Sequence, residues 1–409
     1  MGPSLKAFAG VSGLAFLVLF SYGLARSPID SLFMEAHGSG GLPWAWALVA
    51  VASVLTVFVY NRASHGRSLL TAFSASAGIF AVLLGLVLLL VSAEVENAWY
   101  AVYVWKDVHV VVLLEIIWTL ANSTFKTGSA RRAYGLFCAA GSVGGMAGHF
   151  AAGQVSVAFG AGTALWFALG PLTVLALAVE AFRRVRPGAS PAPEPRSRAT
   201  SGYSGGIRIL RGSRYLGWLL ILILLTQLSI TLIEFHFYDV MKSVHPDADE
   251  RTVAFSRVYM MIDGTSLVLQ LTTSWILKAL GIYGTMLAIP SILSVTVLAS
   301  LVDPRAAVIT AARVASKAFD YSLFRAAKEM LYIPLSYDEK TRGKAMIDML
   351  TYRVAKGGAA IGLGLLVANG FGGPAVLYLV LGLIAGWLAV TVVIVRRYLE
   401  LPAVSRERG

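Results

Sequence analysis

Cysteine is almost missing. Cys138 is the only one in 409 residues, which rules out an internal disulfide and leaves the thiol to fill a helix interface. Charge is also scarce, at 14% of residues, where a soluble domain carries roughly 25%. Acidic residues are the rarer sign, 22 against 34 basic, for a net charge of +12. Several catalytic signatures are absent. Gly141, Gly144, Gly145 and Gly148 look like a phosphate loop, but the Lys-Ser/Thr that would complete one does not follow, and Lys356-Gly357-Gly358 has the wrong order. Gly144 and Gly148 form GxxxG instead, a spacing for close helix packing. No HExxH occurs, and His109, His149 and His236 are scattered over separate segments. No catalytic residue, metal or cofactor is expected, and the chain does not read as an enzyme.

Apolar residues fill the space that charge leaves. They make up 57% of the chain, with a mean hydropathy of +0.72. Leu69–Val91 holds no charge and exceeds the ~20 residues that cross a bilayer; Tyr283–Leu301 and Leu377–Ile394 read the same way. Twelve spans are expected. The first six are Phe8–Glu35, Trp44–Tyr60, Leu69–Val91, Asn97–Phe125, Ala130–Ser156 and Ala164–Phe182. The second six are Tyr215–Tyr238, Thr252–Leu280, Tyr283–Leu301, Ala306–Phe324, Lys344–Ala368 and Leu377–Ile394. The first reads as a retained helix rather than a cleaved signal peptide, because many spans follow it. Spans four, five, eight, ten and eleven carry charge at membrane depth. Arg183–Gly206, rich in Pro, Ser, Ala and Arg, reads as a flexible linker.

Loop charge sets the orientation. With the N-terminus inside, Arg62, Arg67, Lys126, Arg131, Arg132, the linker, Lys278, the Lys328–Lys344 stretch and Arg396-Arg397 all fall inside. This explains the basic excess without a nucleic-acid partner; the partner is the lipid bilayer. Both termini are expected on the cytoplasmic side of the inner (plasma) membrane. A weak repeat joins the fourth-to-fifth junction, Ala121–Gly148, to the tenth-to-eleventh, six spans later. The expected fold is therefore an all-α membrane protein with about 12 transmembrane helices in two six-helix halves, the major facilitator plan. The halves are residues 1–185 and 213–409, joined by a cytoplasmic linker at 186–212.

Ionisable groups at bilayer depth are costly and persist where they face a bundle interior or a watery cavity. Arg313, Lys317 and Asp320 share one helical face at i, i+4, i+7. Asp107 and Glu115 lie eight apart, on roughly one face of the fourth span, with Lys106 and His109 nearby. Arg26 and Asp30 flank Pro28. Arg257 and Asp263 sit in the eighth span, Arg353 and Lys356 in the eleventh, and Glu234 and His236 in the seventh. Two readings stay open: structural locks, in which these groups pair with each other, or the lining of a polar cavity for an anion.

Ser322-Leu323-Phe324, Lys328-Glu329-Met330, Tyr332-Ile333-Pro334-Leu335, Arg342-Gly343-Lys344-Ala345 and Ile347-Asp348 resemble the ATP:ADP antiporter (nucleotide transporter) family of plastids and intracellular bacteria. Ala121-Asn122 and Ala130–Phe137 are similar to its first-half counterpart. Arg325-Ala326 departs from the acidic–proline pair of that family, and the chain is shorter. The resemblance implies transport of a nucleotide. Pro334 should end a helix at the membrane surface, with Glu329 and Asp338 pairing to Arg342 or Lys344, and Lys344 one turn from Asp348.

The expected function is secondary active transport of a nucleotide-like or other organic anion by alternating access. Arg26, Lys106, Arg257, Arg313, Lys317, Arg353 and Lys356 are the candidate substrate-binding cations. Glu115, Glu234, Asp263, Asp320, Glu329, Lys344 and Asp348 are the candidate coupling or gating groups. Tyr259, Tyr321 or Tyr352 would stack on a base. The alternatives are a proton-coupled exporter of a drug, lipid or other metabolite, and a membrane receptor or scaffold that moves nothing. The sequence leaves the oligomeric state open.

Overall fold

A computed structural model describes residues 5–124, 130–185, 203–336, 338–349, 351 and 356–400. Among them there is no strand. In chain order the helices are α1 (Leu5–His37), α2 (Leu42–Ala63), α3 (Leu69–Ser92), α4 (Ala98–Thr124), α5 (Ala130–Phe159), α6 (Ala161–Phe167), α7 (Leu169–Val185) and α8 (Tyr203–Gly212). They continue with α9 (Arg214–Val244), α10 (Ala248–Val302), α11 (Ala306–Phe319), α12 (Arg325–Tyr332), α13 (Lys344–Met349), α14 (Lys356–Ala368) and α15 (Pro374–Glu400).

The twelve expected spans map onto this order. The sixth is divided into α6 and α7, and the tenth and eleventh into α11–α12 and α13–α14. The eighth and ninth both lie in α10, which breaks at Gly281 (φ 64°, ψ 178°), a backbone state that only glycine adopts without strain. Among the described residues, seven helical stretches are long and apolar enough to cross a membrane: α1, α2, α3, α6–α7, α9, α10 and α15. α4, α5, α11–α12 and α13–α14 are not among them; each belongs to a span in which the sequence placed charge. The expected linker lies mostly outside the described residues. Its ends are helical, α7 through Val185 and α8 from Tyr203.

The chain forms two compact units. The first comprises residues 1–41, 48–197 and 245–264; the second comprises 42–47, 198–244 and 265–409. In the first unit, α1 packs along α5 and also meets α4, α6 and α7, while α3 meets α4 and α7. Val18, Ile29, Phe33, Leu84, Leu113 and Ile116 are buried. Val51, Phe58, Ile79, Val82 and Leu89 point outward, where a soluble protein would carry charge. In the second unit, α9 packs on α15 and α11, and α8 lies on α13 and on the π-helical turn Glu339–Gly343.

Lipid is as apolar as leucine, so burial of oil cannot drive these helices together; close van der Waals packing does. The α1–α5 interface shows how. A Cβ on Gly144 would strike the Phe16 carbonyl, one on Gly148 the Phe20 carbonyl, and one on Gly23 would lie 2.5 Å from the Gly145 carbonyl oxygen. Glycines on both helices bring backbone against backbone. Overpacking a tight site costs about 1–3 kcal/mol, and here the obstacle is main chain. Gly148→Val is expected to cost about 3 kcal/mol and to lower the melting temperature of the detergent-solubilised protein. Gly13→Ala, whose added carbon meets nothing, is the control and should melt with the wild type.

Candidate functional site

Two buried charge clusters stand out, one in each unit. In the first unit, α1 presents Arg26 and Asp30 one turn apart, and α4 presents Lys106. The Asp30 carboxylate accepts a hydrogen bond from Lys106 Nζ at 2.5 Å and from the Tyr259 hydroxyl at 2.6 Å. Arg26 Nε lies 3.7 Å from the same carboxylate. The two cations also rest on aromatic faces: the Arg26 guanidinium is 3.8 Å from the Tyr259 ring centre, and Lys106 Nζ is 3.6 Å from that of Tyr103. Such contacts hold a cation in place without cancelling its charge. Asp107, half-buried, sits 3.6 Å from Lys106 and partly offsets it.

In the second unit, α9 presents Glu234 and α11 presents Arg313 and Lys317. Arg313 Nη2 donates to Glu234 Oε1, and Lys317 Nζ lies 3.4 Å from Oε2. All three are buried. Phe237 and Tyr321 flank the cations, 5.9 Å from Arg313 and 5.8 Å from Lys317. Each cluster thus has one carboxylate held by two cations. The elements are spans one and four in the first case, seven and ten in the second, six apart as in the sequence repeat.

The other expected residues fall elsewhere. Arg257 is exposed on α10 and joins neither cluster. Glu115 is exposed on α4; eight residues turn a helix about 80° past two full turns, which takes it off the face of Asp107. Asp320 does not join Arg313 and Lys317: Gln227 Nε2 donates to it at 3.1 Å, where α11 passes into the π-helical turn Asp320–Phe324. His236 is buried, but the pairing at Glu234 goes to α11. Tyr259 and Tyr321 accompany the cations instead of standing alone. Arg353 and Tyr352 lie outside the described residues, as do the side chains of Lys356 and Asp348.

The loop between α12 and α13 carries the ion pairs considered from the sequence. Lys344 Nζ meets Glu329 at 2.5 Å, and Arg342 Nε lies 3.8 Å from Asp338. α12 ends at Tyr332, just before Pro334, and the Leu331 carbonyl accepts a hydrogen bond from Tyr215 of α9. On the loop between α9 and α10, buried Arg251 donates to the carbonyls of His245, Pro246 and Ser31 and to Glu35. The Asp249 carboxylate caps Ala161 N–H at 2.6 Å, at the positive end of α6. These contacts fix the start of α10 against α1 and α6. Before α11, outside the spans, hydrogen bonds from Arg305 hold the Asp303 carboxyl below its usual range. That pair is exposed and adds little.

The sequence reading gave Asp30 no role, although its spacing from Arg26 was visible. It also missed His149, which approaches Ser27 and Asp263 from a helix otherwise marked by glycine. Among the described residues no three His, Cys, Asp or Glu side chains are grouped to hold a metal.

The family model TLC ATP/ADP transporter matches residues 302–398, which include Arg313, Lys317 and the loop between α12 and α13. ADP,ATP carrier protein 3 of Rickettsia bellii is 22% identical over 434 residues, covering 86% of this chain and 85% of its own. Over these residues the chain is similar to ATP/ADP transporters. ADP,ATP carrier protein 1 of Chlamydia pneumoniae reaches 48% identity, over 77 residues that span 18% of this chain and 15% of that one. Among solved structures, the nucleoside transporter NupG superposes with TM-score 0.64 at 13% identity, covering 96% of this chain and 99% of that one. The POT family transporter PepTSo superposes with TM-score 0.69 at 10% identity, covering 96% and 98%. The chain is a multi-pass membrane protein with the major facilitator fold.

Proposed function

We propose that the protein is a secondary active transporter that moves a nucleotide-like organic anion by alternating access and carries out no chemical conversion. The observation that carries this reading is the pair of buried clusters, each placing an arginine and a lysine around one central carboxylate. Burying such groups costs several kcal/mol per ion, and a merely structural lock would need only one cation per carboxylate. An anion with several phosphate oxygens suits Arg26 and Lys106, or Arg313 and Lys317: arginine offers a planar fork of donors and lysine a point charge. Asp30 and Glu234 occupy the cations as phosphate would; the arriving anion takes their place. The family match and the relatives' names favour ATP or ADP as the cargo.

The moving bodies are the two compact units, which follow the expected halves 1–185 and 213–409 and their linker 186–212 except that residues 245–264 belong with the first and 42–47 with the second. The Glu329–Lys344 and Asp338–Arg342 pairs close the inner loop and break as it opens. The chain sits in the inner membrane with both termini in the cytoplasm, as its basic inner loops require.

The test is counterflow of labelled ATP and ADP in liposomes carrying the purified protein. Exchange is expected. Lys317→Gln, which removes one charge-assisted bond of about 1.5–3 kcal/mol, should lower kcat/KM about tenfold or more. Normal exchange by Lys317→Gln removes that residue from the site. Absence of flux from a folded wild type leaves a scaffold, and the proposal fails.

A further inference from the structure

We infer that Asp263 and His149 together form a proton-binding site, filled in step with the anion, so that the transport proposed above is proton-coupled. The inference rests on that reading and supplies its coupling ion.

Three helices of the first unit build the site. Ser27 comes from α1, His149 from α5 and Asp263 from α10. His149 is buried, with Nδ1 3.2 Å from Ser27 Oγ and Nε2 3.8 Å from Asp263 Oδ2. A distance of 3.8 Å is too long for a direct hydrogen bond. It makes an ion pair when the imidazole carries a proton and a mere neighbour when it does not, so the proton sets the strength of the link. Asp263 keeps 24% of its side chain exposed, which leaves a path for protons to the buried ring. Gly145 supplies the seat: a Cβ there would lie 2.6 Å from Asp263 Oδ2. The glycine therefore admits the carboxylate as well as packing the helix.

The surrounding charges connect this site to the anion. α1 brings Arg26 and Asp30, α4 brings Lys106, Asp107 and His109, and α10 brings Tyr259, whose ring is 5.1 Å from that of His149. α3 and α6 carry no charge, and α7 carries only Glu180, Arg183 and Arg184 at its end. The Arg26 guanidinium lies 3.8 Å from the centre of the Tyr259 ring, which itself borders His149, and a positive charge so placed repels an added proton. An anion engaging Arg26 cancels that field and strengthens proton binding nearby. By linkage, the bound proton strengthens anion binding by the same factor. The proton arrives from water on the acidic side, is held on the imidazole opposite the ionised carboxylate, and leaves to water on the other side with both groups unchanged. Anion and proton thus travel together.

The experiment uses the full chain in liposomes with labelled ADP as probe. Uptake is measured with and without an inward proton gradient over about pH 5 to 8, where histidine pairs titrate. The gradient is expected to accelerate wild-type uptake about tenfold, within the usual range of coupling between two sites. Adding ADP to weakly buffered, detergent-solubilised protein should take up about one proton per ADP bound. This second measurement needs no turnover. In Asp263→Asn and His149→Gln, whatever exchange remains should ignore the gradient, and ADP should draw no proton. Asp263→Glu, which keeps a titrating carboxyl, should retain both responses. Wild-type exchange that ignores the gradient, or variants that respond as wild type does, overturn the inference and leave the carrier reading intact. No ADP flux in the wild type removes the carrier reading, and this inference with it.

Discussion

Asp30→Asn is expected to destabilise the protein by about 3–5 kcal/mol, the usual cost of removing one partner from a buried ion pair. The reason is local. Asp30 is fully buried and receives Lys106 at 2.5 Å and Tyr259 at 2.6 Å, with Arg26 one turn away. Asparagine keeps the shape and a hydrogen-bond acceptor but leaves two cations without their central counter-charge. The destabilisation therefore reports charge rather than packing. Asp30→Asn combined with Lys106→Met removes one of those cations and should recover most of the loss. A double-mutant cycle on melting curves in detergent reads the coupling, expected near the upper end of the 0.5–3 kcal/mol range for residues in contact. Additive losses would mean that the two groups do not hold each other.

Glu234→Gln separates a lock from a binding site. Glu234 engages both Arg313 and Lys317, so in the empty protein it competes with any anion for them. If the cluster were only a lock, the glutamine variant would lose stability and gain nothing. As a binding site, it should bind ADP about tenfold more tightly or better, the size expected when one charge-assisted bond of about 1.5–3 kcal/mol no longer has to be broken. Turnover should fall as well, because tighter ground-state binding slows release without lowering the barrier. The expected signature is a lower KM together with a lower kcat. A raised KM would contradict the exchange of carboxylate for phosphate.

How much of this was legible in the sequence differs between fold and site. The spans could be read because lipid demands about 20 apolar residues per crossing, and interruptions such as Gly281 fall where loops were expected. The GxxxG of Gly144 and Gly148 could be read because backbone approach has few other solutions in lipid. Partnerships along one helix or across one short loop also followed from spacing, as with Arg313 and Lys317, or Glu329 and Lys344. Partnerships between distant helices did not. Nothing in the spacing of Asp30 and Lys106, 76 residues apart, or of His149 and Asp263 reveals that they meet. Helical phase also misled. Glu115 seemed to share a face with Asp107, and Asp320 with Lys317. Eight residues overshoot two turns, and Gln227 reaches Asp320 from a helix that spacing could not supply. Arg257 shows the same limit: a charge at membrane depth was taken to face inward, and it is exposed.

The claim beneath the whole account is that buried cations in the second unit grip the anion. Calorimetric titration of ADP into detergent-solubilised wild type and into Arg313→Gln/Lys317→Gln tests it without transport or membrane. The wild type should bind and weaken with added salt, as charge recognition does. The double variant, lacking two charge-assisted contacts, should bind at least about a hundredfold more weakly. Equal binding by a folded double variant would contradict the account.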